Sequence, residues 1–539
     1  MLTAAILLLA AAVVSCAQAE SINWTFCPEG QDGNDCASIP LPLDPDNSSN
    51  TAEVVAFVRR FYAGDAPTNK SLWMFAGGPG DSAQSFAGGA AYFISYDPSV
   101  TVYLMDQRGV GMSSPAVDCD APPSYQFDPT NDTTIASYSA CNAQISGDFG
   151  DELRYFGTYH AAVDYKTVVD MVAAEKVAIY AMSYGTYALN AYLQLDGARA
   201  DVALMDGPVP PQRWALERDP EWKSRVAGDV LAACVRLSPT CSSRMGMGEP
   251  AGGAGYAAAA ATATTTAHAA AFLMDAVVDG SLPCLAQLPW LTPYRAAMYN
   301  TAMLQGAQHV CLGPFWARVD RCDASDVEQL NHFHAGQEAA AAEGGPAPPL
   351  YSYGAAVNIG ASEVFSFASE APAYQPPTYA QLELSSQRVF ATAGVELLAA
   401  HARDVDDLPR YTPDARTYRR FANLSAASGA PGVPLKILVG TLDPQTPAGL
   451  GPWFARGLGL DPADAVVAVP YACHGTVGSG DQCVLDMAAA YLFAFGQAPM
   501  NTTCLADIAA PDFEGTAARS TEEISMQYFG TPRLWNGMT

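Results

Sequence analysis

Short apolar runs that alternate with helical stretches constrain the fold of this sequence more than any other feature. Between residues 71 and 207, four runs are nearly continuous in apolar residues and are bounded by Gly, Asp or Ser, namely 72–76, 100–105, 177–182 and 202–205. Strands buried on both faces of a parallel sheet have this composition. Residues 160–175 have apolar side chains at helical spacing, and 184–195 can form the next helix. The alternation predicts an α/β fold with a mostly parallel central sheet flanked by helices.

The alternation stops near residue 208 and returns near residue 432. The intervening stretch is rich in Ala and Pro, lacks buried-strand signals and includes low-complexity segments at 251–271 and 339–349. Strand signals reappear at 435–440 and 465–470, and a helix is expected at 482–495. The sequence therefore predicts one α/β domain in two parts, 20–207 and 432–539, interrupted by a large, mainly helical cap at 208–431.

Residues 1–19 are predicted to be a signal peptide. An apolar run at 2–14 precedes Ala17-Gln18-Ala19, which has the small-residue pattern of a cleavage site. Sequons for N-glycosylation add weak support for a secretory route, and they begin at Asn23, Asn47, Asn69, Asn131, Asn423 and Asn501. We expect a secreted protein, or one in a vacuolar or lysosomal lumen.

Cysteine content agrees with an oxidising compartment. Removal of Cys16 with the signal peptide would leave an even number of the 13 cysteines, which we expect to be mostly or wholly disulfide-bonded. Spacing alone does not prove connectivity. The close pairs are Cys27 with Cys36, Cys234 with Cys241, and Cys473 with Cys483; the alternative partner of Cys473 is Cys504 or another distant cysteine.

The charge balance excludes several classes of partner. The chain has 27 basic and 55 acidic residues, a formal net charge of −28, and half of its residues are hydrophobic. Such a chain has a large core and repels phosphate backbones and anionic membranes. Beyond the N-terminus no apolar run reaches the length of a membrane span. We expect peptide substrates, no nucleic-acid or membrane partner, and no metal or other cofactor.

Four features that follow predicted strands point to one active site. Ser183 lies where a strand should turn sharply into a helix, although Ala181 replaces the first glycine of the G-x-S-x-G pattern. The glycine-rich stretch 77–80 can expose backbone N–H groups to an oxyanion. Asp443 and His474 follow the last two predicted strands. The order Ser, Asp, His is that of α/β-hydrolases.

These motifs make the resemblance more specific. The chain resembles the prolyl-aminopeptidase and tripeptidyl-aminopeptidase family of α/β-hydrolase serine peptidases. The matching stretches are 39–44 (IPLPLD), 77–80 (GGPG), 106–113 (DQRGVGMS), 182–187 (MSYGTY), 205–207 (MDG), 443–447 (DPQTP) and 474–475 (HG). They cover nearly the whole predicted hydrolase domain, and the predicted cap contains no motif that aligns.

The resemblance implies a role for each site residue. Ser183 would be the nucleophile, His474 the general base and acid, and Asp443 the carboxylate that orients the imidazole. The N–H groups of Gly78 and Tyr184 would form the oxyanion hole.

Other assignments remain open at this point. Asp206 also ends a predicted strand and could replace Asp443. Arg108 is interpreted as a structural residue that ties loops beneath the site. His332 and His334, with Cys322 and Asp326 nearby, suggest a metal site faintly.

The resemblance implies an exopeptidase that releases short peptides or single residues from free N-termini. Such an enzyme needs carboxylates that pair with the substrate ammonium, and the available cap acids include Glu217, Glu221, Glu363 and Glu370. A serine carboxypeptidase, an esterase or lipase, and an inactive hydrolase-fold binding protein are the alternatives.

Overall fold

The computed structural model describes residues 22–123, 129, 131–211, 213–244, 273–342, 350–365, 375–413, 421–424, 432–479, 481–515 and 519–535. The predicted signal peptide and Glu370 lie outside the described residues. Within these ranges, no helix is both long enough and apolar enough to cross a bilayer.

A single eight-stranded sheet organises the described chain. Its strands are β1 (Asp35–Pro42), β2 (Glu53–Phe61), β3 (Lys70–Phe75), β4 (Thr101–Met105), β5 (Lys176–Met182), β6 (Val202–Asp206), β7 (Leu435–Gly440) and β8 (Val466–Val469). Their spatial order is β1-β2-β4-β3-β5-β6-β7-β8. Strand β2 pairs antiparallel with β1 and β4, and every other pairing is parallel. This arrangement is the α/β-hydrolase fold, which confirms the predicted fold class.

The α-helices with described bounds are α1 (Ala87–Tyr96), α2 (Asp132–Phe149), α3 (Thr158–Val172), α4 (Tyr184–Tyr192), α5 (Asp219–Leu237), α6 (Pro239–Arg244), α7 (Pro293–Ala302), α8 (Leu312–Arg321), α9 (Ala324–Ala342), α10 (Tyr353–Ser362), α11 (Tyr379–Ser386), α12 (Val395–Asp404), α13 (Leu450–Gly457), α14 (Pro462–Ala465), α15 (Gln482–Phe493) and α16 (Arg519–Phe529). Short 3₁₀ turns connect them at Ala83–Phe86, Gly150–Phe156, Leu216–Arg218, Pro283–Ala286, Gly306–Cys311, Thr476–Ser479 and Thr503–Asp507.

Both faces of the sheet are covered by helices. On β3, Trp73 and Phe75 join the core that includes α3 and α4, whereas Leu72 and Met74 join the core that includes α1 and α15. This alternation is expected of a strand whose successive side chains point to opposite faces. Burial on both faces explains why the central strands have nearly continuous apolar sequences.

Helices between β6 and β7 form a further hydrophobic core. It includes residues of α5, α7, α8 and α9, together with α16 from the C-terminal part of the chain. Leu442 and Cys473 also belong to this core. Because they directly precede Asp443 and His474, this helical region packs against the two loops that hold these residues.

Five disulfides are present among the described residues, and they correct one prediction. Cys27–Cys36 and Cys234–Cys241 form as expected, and the other pairs are Cys119–Cys141, Cys284–Cys322 and Cys483–Cys504. The predicted Cys473–Cys483 bridge is therefore wrong. Cys473 is a buried thiol that donates to the carbonyl of Gly306 at 3.3 Å. Cys483, at the start of α15, instead contacts the turn Thr503–Asp507, which provides Cys504.

Candidate active site

Ser183 lies at a sharp turn between β5 and α4. Its φ of 56° and ψ of −129° are a strained combination for a residue other than glycine. Its N–H donates to the carbonyl of Asp206 at 2.9 Å, which ties the turn to β6. The strand and helix pass so closely that a Cβ on Gly185 would lie 2.2 Å from the carbonyl oxygen of Phe75. Ala181 is fully buried, so the turn accommodates the extra methyl group.

The glycine-rich loop after β3 passes beside this serine. A Cβ on Gly77 would lie 3.0 Å from the Cβ of Ser183 and 3.6 Å from its Oγ. Gly78 has a φ of 101°, and a Cβ there would lie 2.7 Å from the backbone nitrogen of Gly80, so only glycine fits. The predicted oxyanion donors are thus Gly78 in this loop and Tyr184 at the first position of α4.

The buried side chain of Asp106 holds the glycine-rich loop in place. It is fully buried, and its carboxylate accepts hydrogen bonds from Ser82 Oγ at 2.7 Å and from the backbone N–H of Ala83 at 2.8 Å. It also accepts from the N–H of Met112 at 3.0 Å and pairs with Arg59 at 3.1 Å. The sequence motif 106–113 therefore supports the loop rather than reaching a substrate.

Asp443 and His474 are brought together at the ends of β7 and β8. His474 Nδ1 lies 2.9 Å from Asp443 Oδ2. Thr446 donates its hydroxyl to the same carboxylate oxygen at 2.6 Å, and the N–H groups of Gln445 and Thr446 donate to Oδ1, each at 2.8 Å. The carboxylate is therefore fully hydrogen-bonded and faces the imidazole in one fixed orientation.

The two groups shift each other's pKa in the directions expected of an ion pair. Burial raises the pKa of Asp443, but the His474 charge and the hydrogen bonds from His474 and Thr446 outweigh it and hold that pKa below its usual range. Burial lowers the pKa of His474, but the Asp443 carboxylate and its hydrogen bond outweigh burial and raise it above its usual range.

The ring nitrogen of His474 that does not face Asp443, Nε2, is free to accept a proton. Within the described ranges, His474 Nε2 is buried and has no hydrogen-bond partner. Because Nδ1 faces a carboxylate, the neutral imidazole has its proton on Nδ1 and a lone pair on Nε2. The loop packs on the serine turn, because a Cβ on Gly475 would lie 2.9 Å from the sulfur of Met182. A Cβ on Gly207 would lie 2.9 Å from Cε1 of His474, so this position also requires glycine.

Asp206, the alternative acid, has a different role. Its fully buried carboxylate accepts from the N–H and hydroxyl of Thr476, from the N–H of Val477 and from the hydroxyl of Tyr180, at 2.8–2.9 Å. The hydrogen bond that His474 Nδ1 donates goes to Asp443 instead. Asp206 therefore anchors the loop that holds His474 and is not its hydrogen-bonding partner.

One of the four cap acids considered from sequence connects to the site. Glu363 is buried and accepts from the N–H of Thr158 at 2.8 Å and from the hydroxyl of Tyr411 at 2.5 Å. Thr158 Oγ1 in turn lies 2.6 Å from the hydroxyl of Tyr184. Burial raises the pKa of Glu363. Glu363 thus braces the start of α3 and, through Thr158, the side chain of Tyr184.

The other cap acids are not placed at the site. Glu221 is exposed and pairs with Arg218 in the turn that precedes α5. Glu217 lies in the short turn before α5, where its N–H donates to the carbonyl of Phe365.

A buried charged cluster on α5 and α12 was missed by the sequence analysis. Lys223 pairs with Asp219 one turn earlier, and the charge of Asp219 acts on Glu396. Asp219 Oδ2 and Glu396 Oε2 are buried without a hydrogen-bond partner among the described residues. Burial, and then the charge of Asp219, raises the pKa of Glu396 to about 7. The charge of Lys223 opposes the rise in the pKa of His474. The i,i+4 spacing of Asp219 and Lys223 was the available signal.

Asp81 is a second acid that the sequence analysis did not single out. It follows the glycine-rich loop, and its Cγ lies 3.4 Å from where a Cβ on Gly78 would be. Burial raises the pKa of Asp81 to about 6, and the charge of His474 opposes this shift.

Arg108 is structural, as expected. Its guanidinium makes two hydrogen bonds to Asp164, at 2.7 and 2.6 Å, and donates to the carbonyls of Leu43, Tyr155 and Pro42. It is buried and joins β1, α3 and the turn between α2 and α3.

The residues that suggested a metal site have other partners. Cys322 is bridged to Cys284, and Asp326 pairs with Arg321. The ring of His334 stacks on Trp290. In the described part of the chain, the group with metal-ligand spacing is Asp118, Cys119 and Cys141, and its two cysteines are joined to each other.

Comparison with known proteins found similar structures but no related sequence. No family model and no curated protein matches the chain. The chain is similar to the proline iminopeptidase of Mycobacterium smegmatis, with 12% identity over 86% of this chain and 99% of that one and a TM-score of 0.36. It is similar to a proline iminopeptidase-related protein of Thermus thermophilus, with 14% identity over 85% and 99% and a TM-score of 0.30. An esterase of Thermogutta terrifontis has 12% identity over 85% and 99% and a TM-score of 0.32.

Proposed function

We propose that the protein is a secreted serine hydrolase that cleaves peptide bonds near free N-termini through an acyl-enzyme on Ser183. The observation that supports this chemistry most directly is the environment of His474. Its Nδ1 faces the buried carboxylate of Asp443, its Nε2 has no hydrogen-bond partner among the described residues, and the adjacent Gly475 packs on Met182 in the turn that holds Ser183. A base with an oriented imidazole and an open nitrogen is what a serine nucleophile requires.

In the proposed mechanism, His474 Nε2 takes the proton of Ser183 Oγ as this oxygen attacks the scissile carbonyl carbon. The N–H groups of Gly78 and Tyr184 donate to the oxyanion that forms. The protonated imidazole, stabilised by Asp443, then gives its proton to the departing amine, and the acyl-enzyme remains. A water molecule, deprotonated by the same nitrogen, releases the acyl group and restores the serine.

Preference for a free N-terminus is supported by the charges around the site. Asp81, Asp219 and Glu396 contribute three carboxyl groups, and Lys223, whose charge acts on both His474 and Glu396, pairs with Asp219. An ammonium group entering this region gains favourable electrostatic energy, whereas a carboxylate is repelled. This balance favours an aminopeptidase over a carboxypeptidase.

Secretion is supported by the cysteines. Five disulfide-bonded pairs among the described residues indicate an oxidising, extracellular type of environment. The proposed signal peptide and glycosylation would be tested together, by N-terminal sequencing and by peptide mass spectrometry of protein purified from culture medium.

Two experiments test the proposed activity. A fluorophosphonate should label Ser183 in the wild type and nothing in Ser183→Ala; failure to label would favour the inactive binding protein. Mass spectrometry of free and N-acetylated peptide libraries should show cleavage near free N-termini only. Equal cleavage of acetylated peptides from their C-termini would indicate a carboxypeptidase, and hydrolysis of esters alone would indicate an esterase or lipase.

A further inference from the structure

Asp81 occupies a fixed position beside the proposed oxyanion hole. Its N–H lies 3.4 Å from the carbonyl of Gly77, and its backbone forms a β-bridge with Tyr351. The next residue, Ser82, donates its N–H to the carbonyl of Leu350 at 2.9 Å. The loop is therefore held on one side by the buried Asp106 network and on the other by the segment before α10. A side chain on such a loop keeps its place during turnover.

The carboxyl group of Asp81 has no cation of its own. Among the described residues it has neither a hydrogen bond nor an ion pair with another side chain. Arg59, which supports the same loop through Asp106, pairs with that carboxylate, and Lys223 pairs with Asp219. His474 is the group whose charge acts on Asp81. Asp81 as a residue keeps some solvent exposure, while its carboxyl group is largely buried.

An uncompensated carboxylate at this place would oppose catalysis. The oxyanion forms at the N–H of Gly78, and the carboxyl of Asp81 lies close to that glycine. A negative charge near a developing negative charge raises the barrier in a site that excludes water. Turnover therefore requires that Asp81 be neutralised, by a proton or by a cation that the substrate brings.

The substrate can bring a cation to this place only if its ammonium is close to the scissile carbonyl. In a single N-terminal residue, the α-ammonium is on the carbon next to that carbonyl. In a tripeptidyl group it lies two residues farther away, roughly 7 Å along an extended chain. The distance between the ammonium group and the scissile carbonyl therefore distinguishes an exopeptidase that releases one residue from one that releases tripeptides.

We propose that Asp81 binds the α-ammonium group of the residue whose carbonyl is attacked, so that the enzyme releases one N-terminal residue at a time. This inference rests on the proposed function of Ser183. Asp81 is then a specificity-determining residue: it selects free N-termini and is neutralised by the substrate that it selects.

The test uses diphenyl esters of α-aminoalkyl phosphonates, which place an amine at the distance of a single residue and react with Ser183 by loss of phenol. Labelling rates would be measured by intact-protein mass spectrometry for the free-amine and N-acetylated forms. Wild type should react faster with the free amine by about ten- to a hundredfold, the range expected for a charge-assisted hydrogen bond. Asp81→Asn should lose most of this difference, and Asp97→Asn, which changes a partly exposed acid at the C-cap of α1, should keep it.

Substrate length gives a second readout. Wild type should hydrolyse an aminoacyl p-nitroanilide faster than its N-acetylated form and faster than a tripeptidyl p-nitroanilide. Equal loss of labelling by both phosphonates in Asp81→Asn would overturn the role of Asp81 while leaving the nucleophile in place. Preference for the tripeptidyl substrate would also overturn it. Absence of labelling by any phosphonate, with a fluorophosphonate equally inert, would remove the proposed function itself.

Discussion

Ser183 is held in a conformation that only a surrounding structure can impose. Its positive φ is maintained by the hydrogen bond to Asp206 and by the closely packed Gly185. We expect Ser183→Ala to fold normally, because it removes one oxygen and keeps the backbone. Its kcat should fall by about 10⁴-fold or more, since loss of a triad nucleophile leaves only oxyanion-hole and binding contributions. Steady-state kinetics with a chromogenic substrate would measure this, and a variant with more than a tenth of wild-type activity would contradict the role of Ser183.

The pKa of His474 gives a prediction for the pH profile. Only the neutral imidazole accepts the serine proton, and the Asp443 carboxylate outweighs burial to raise the pKa of His474 above its usual range. A base with a raised pKa stays protonated to a higher pH. The acid limb of kcat/KM should therefore lie above about 6.5, the ordinary value for histidine. Asp443→Asn should lower both kcat and the apparent pKa of the acid limb. An unchanged apparent pKa would mean that a group other than His474 titrates in this range.

At the scale of elements, helices α5 and α12 together bury two carboxyl groups and one lysine side chain. Glu396 and Asp219 share one lysine, and burial raises the pKa of Glu396 to about 7. The pKa of this carboxyl group is higher in the folded state than its unfolded-state value of 4.5. Its contribution to stability is therefore fully present below pH 4.5. This contribution is lost as the pH rises through the folded-state pKa.

We therefore expect Glu396→Gln to flatten the pH dependence of stability. Between about pH 4.5 and 8 the wild type should lose about 3 kcal/mol of folding free energy that the variant retains. Urea denaturation of both proteins at several pH values would measure the difference, with Glu221→Gln, an exposed acid on α5, as the control. Parallel pH profiles for wild type and Glu396→Gln would show that Glu396 is ionised throughout.

Sequence patterns predicted the central strands of the sheet most accurately. The runs at 435–440 and 177–182 agree with β7 and β5 to within one residue, because complete burial requires an apolar residue at nearly every position. The edge strand β1 alternates buried and exposed residues and contains Pro40 and Pro42, and β2 includes Arg59 and Arg60. β1 has no continuous apolar run, so its strand signal is weak, whereas β2 contains one at 54–58 that was not predicted as a strand.

The site was predictable to a similar, limited extent. Ser183, Asp443 and His474 could be proposed from sequence because each follows a strand, and strand ends of a parallel sheet meet at one edge. Asp81 and Glu396 could not, because their importance depends on burial and on which charges surround them. The predicted Cys473–Cys483 bridge failed for the same reason, because proximity in the sequence does not determine which side chains meet in the fold. Cys473 lies ten residues before Cys483, but Cys483 bonds to Cys504 and Cys473 contacts Gly306.

For the whole molecule, the net charge of −28 predicts a salt-dependent preference for cationic substrates. A strongly negative protein raises the local concentration of molecules with an ammonium group, and salt screens this attraction. Between about 0.02 and 0.5 M NaCl the screening length falls from roughly 20 to 4 Å. Over that range, kcat/KM for a free-amine aminoacyl substrate should fall several-fold while that of a neutral ester stays constant. Because chemistry at Ser183 is common to both substrates, their ratio isolates the electrostatic contribution. A ratio that does not change with salt would show that the acidic surface plays no part in substrate capture, and that any amine preference comes from contacts such as Asp81 alone.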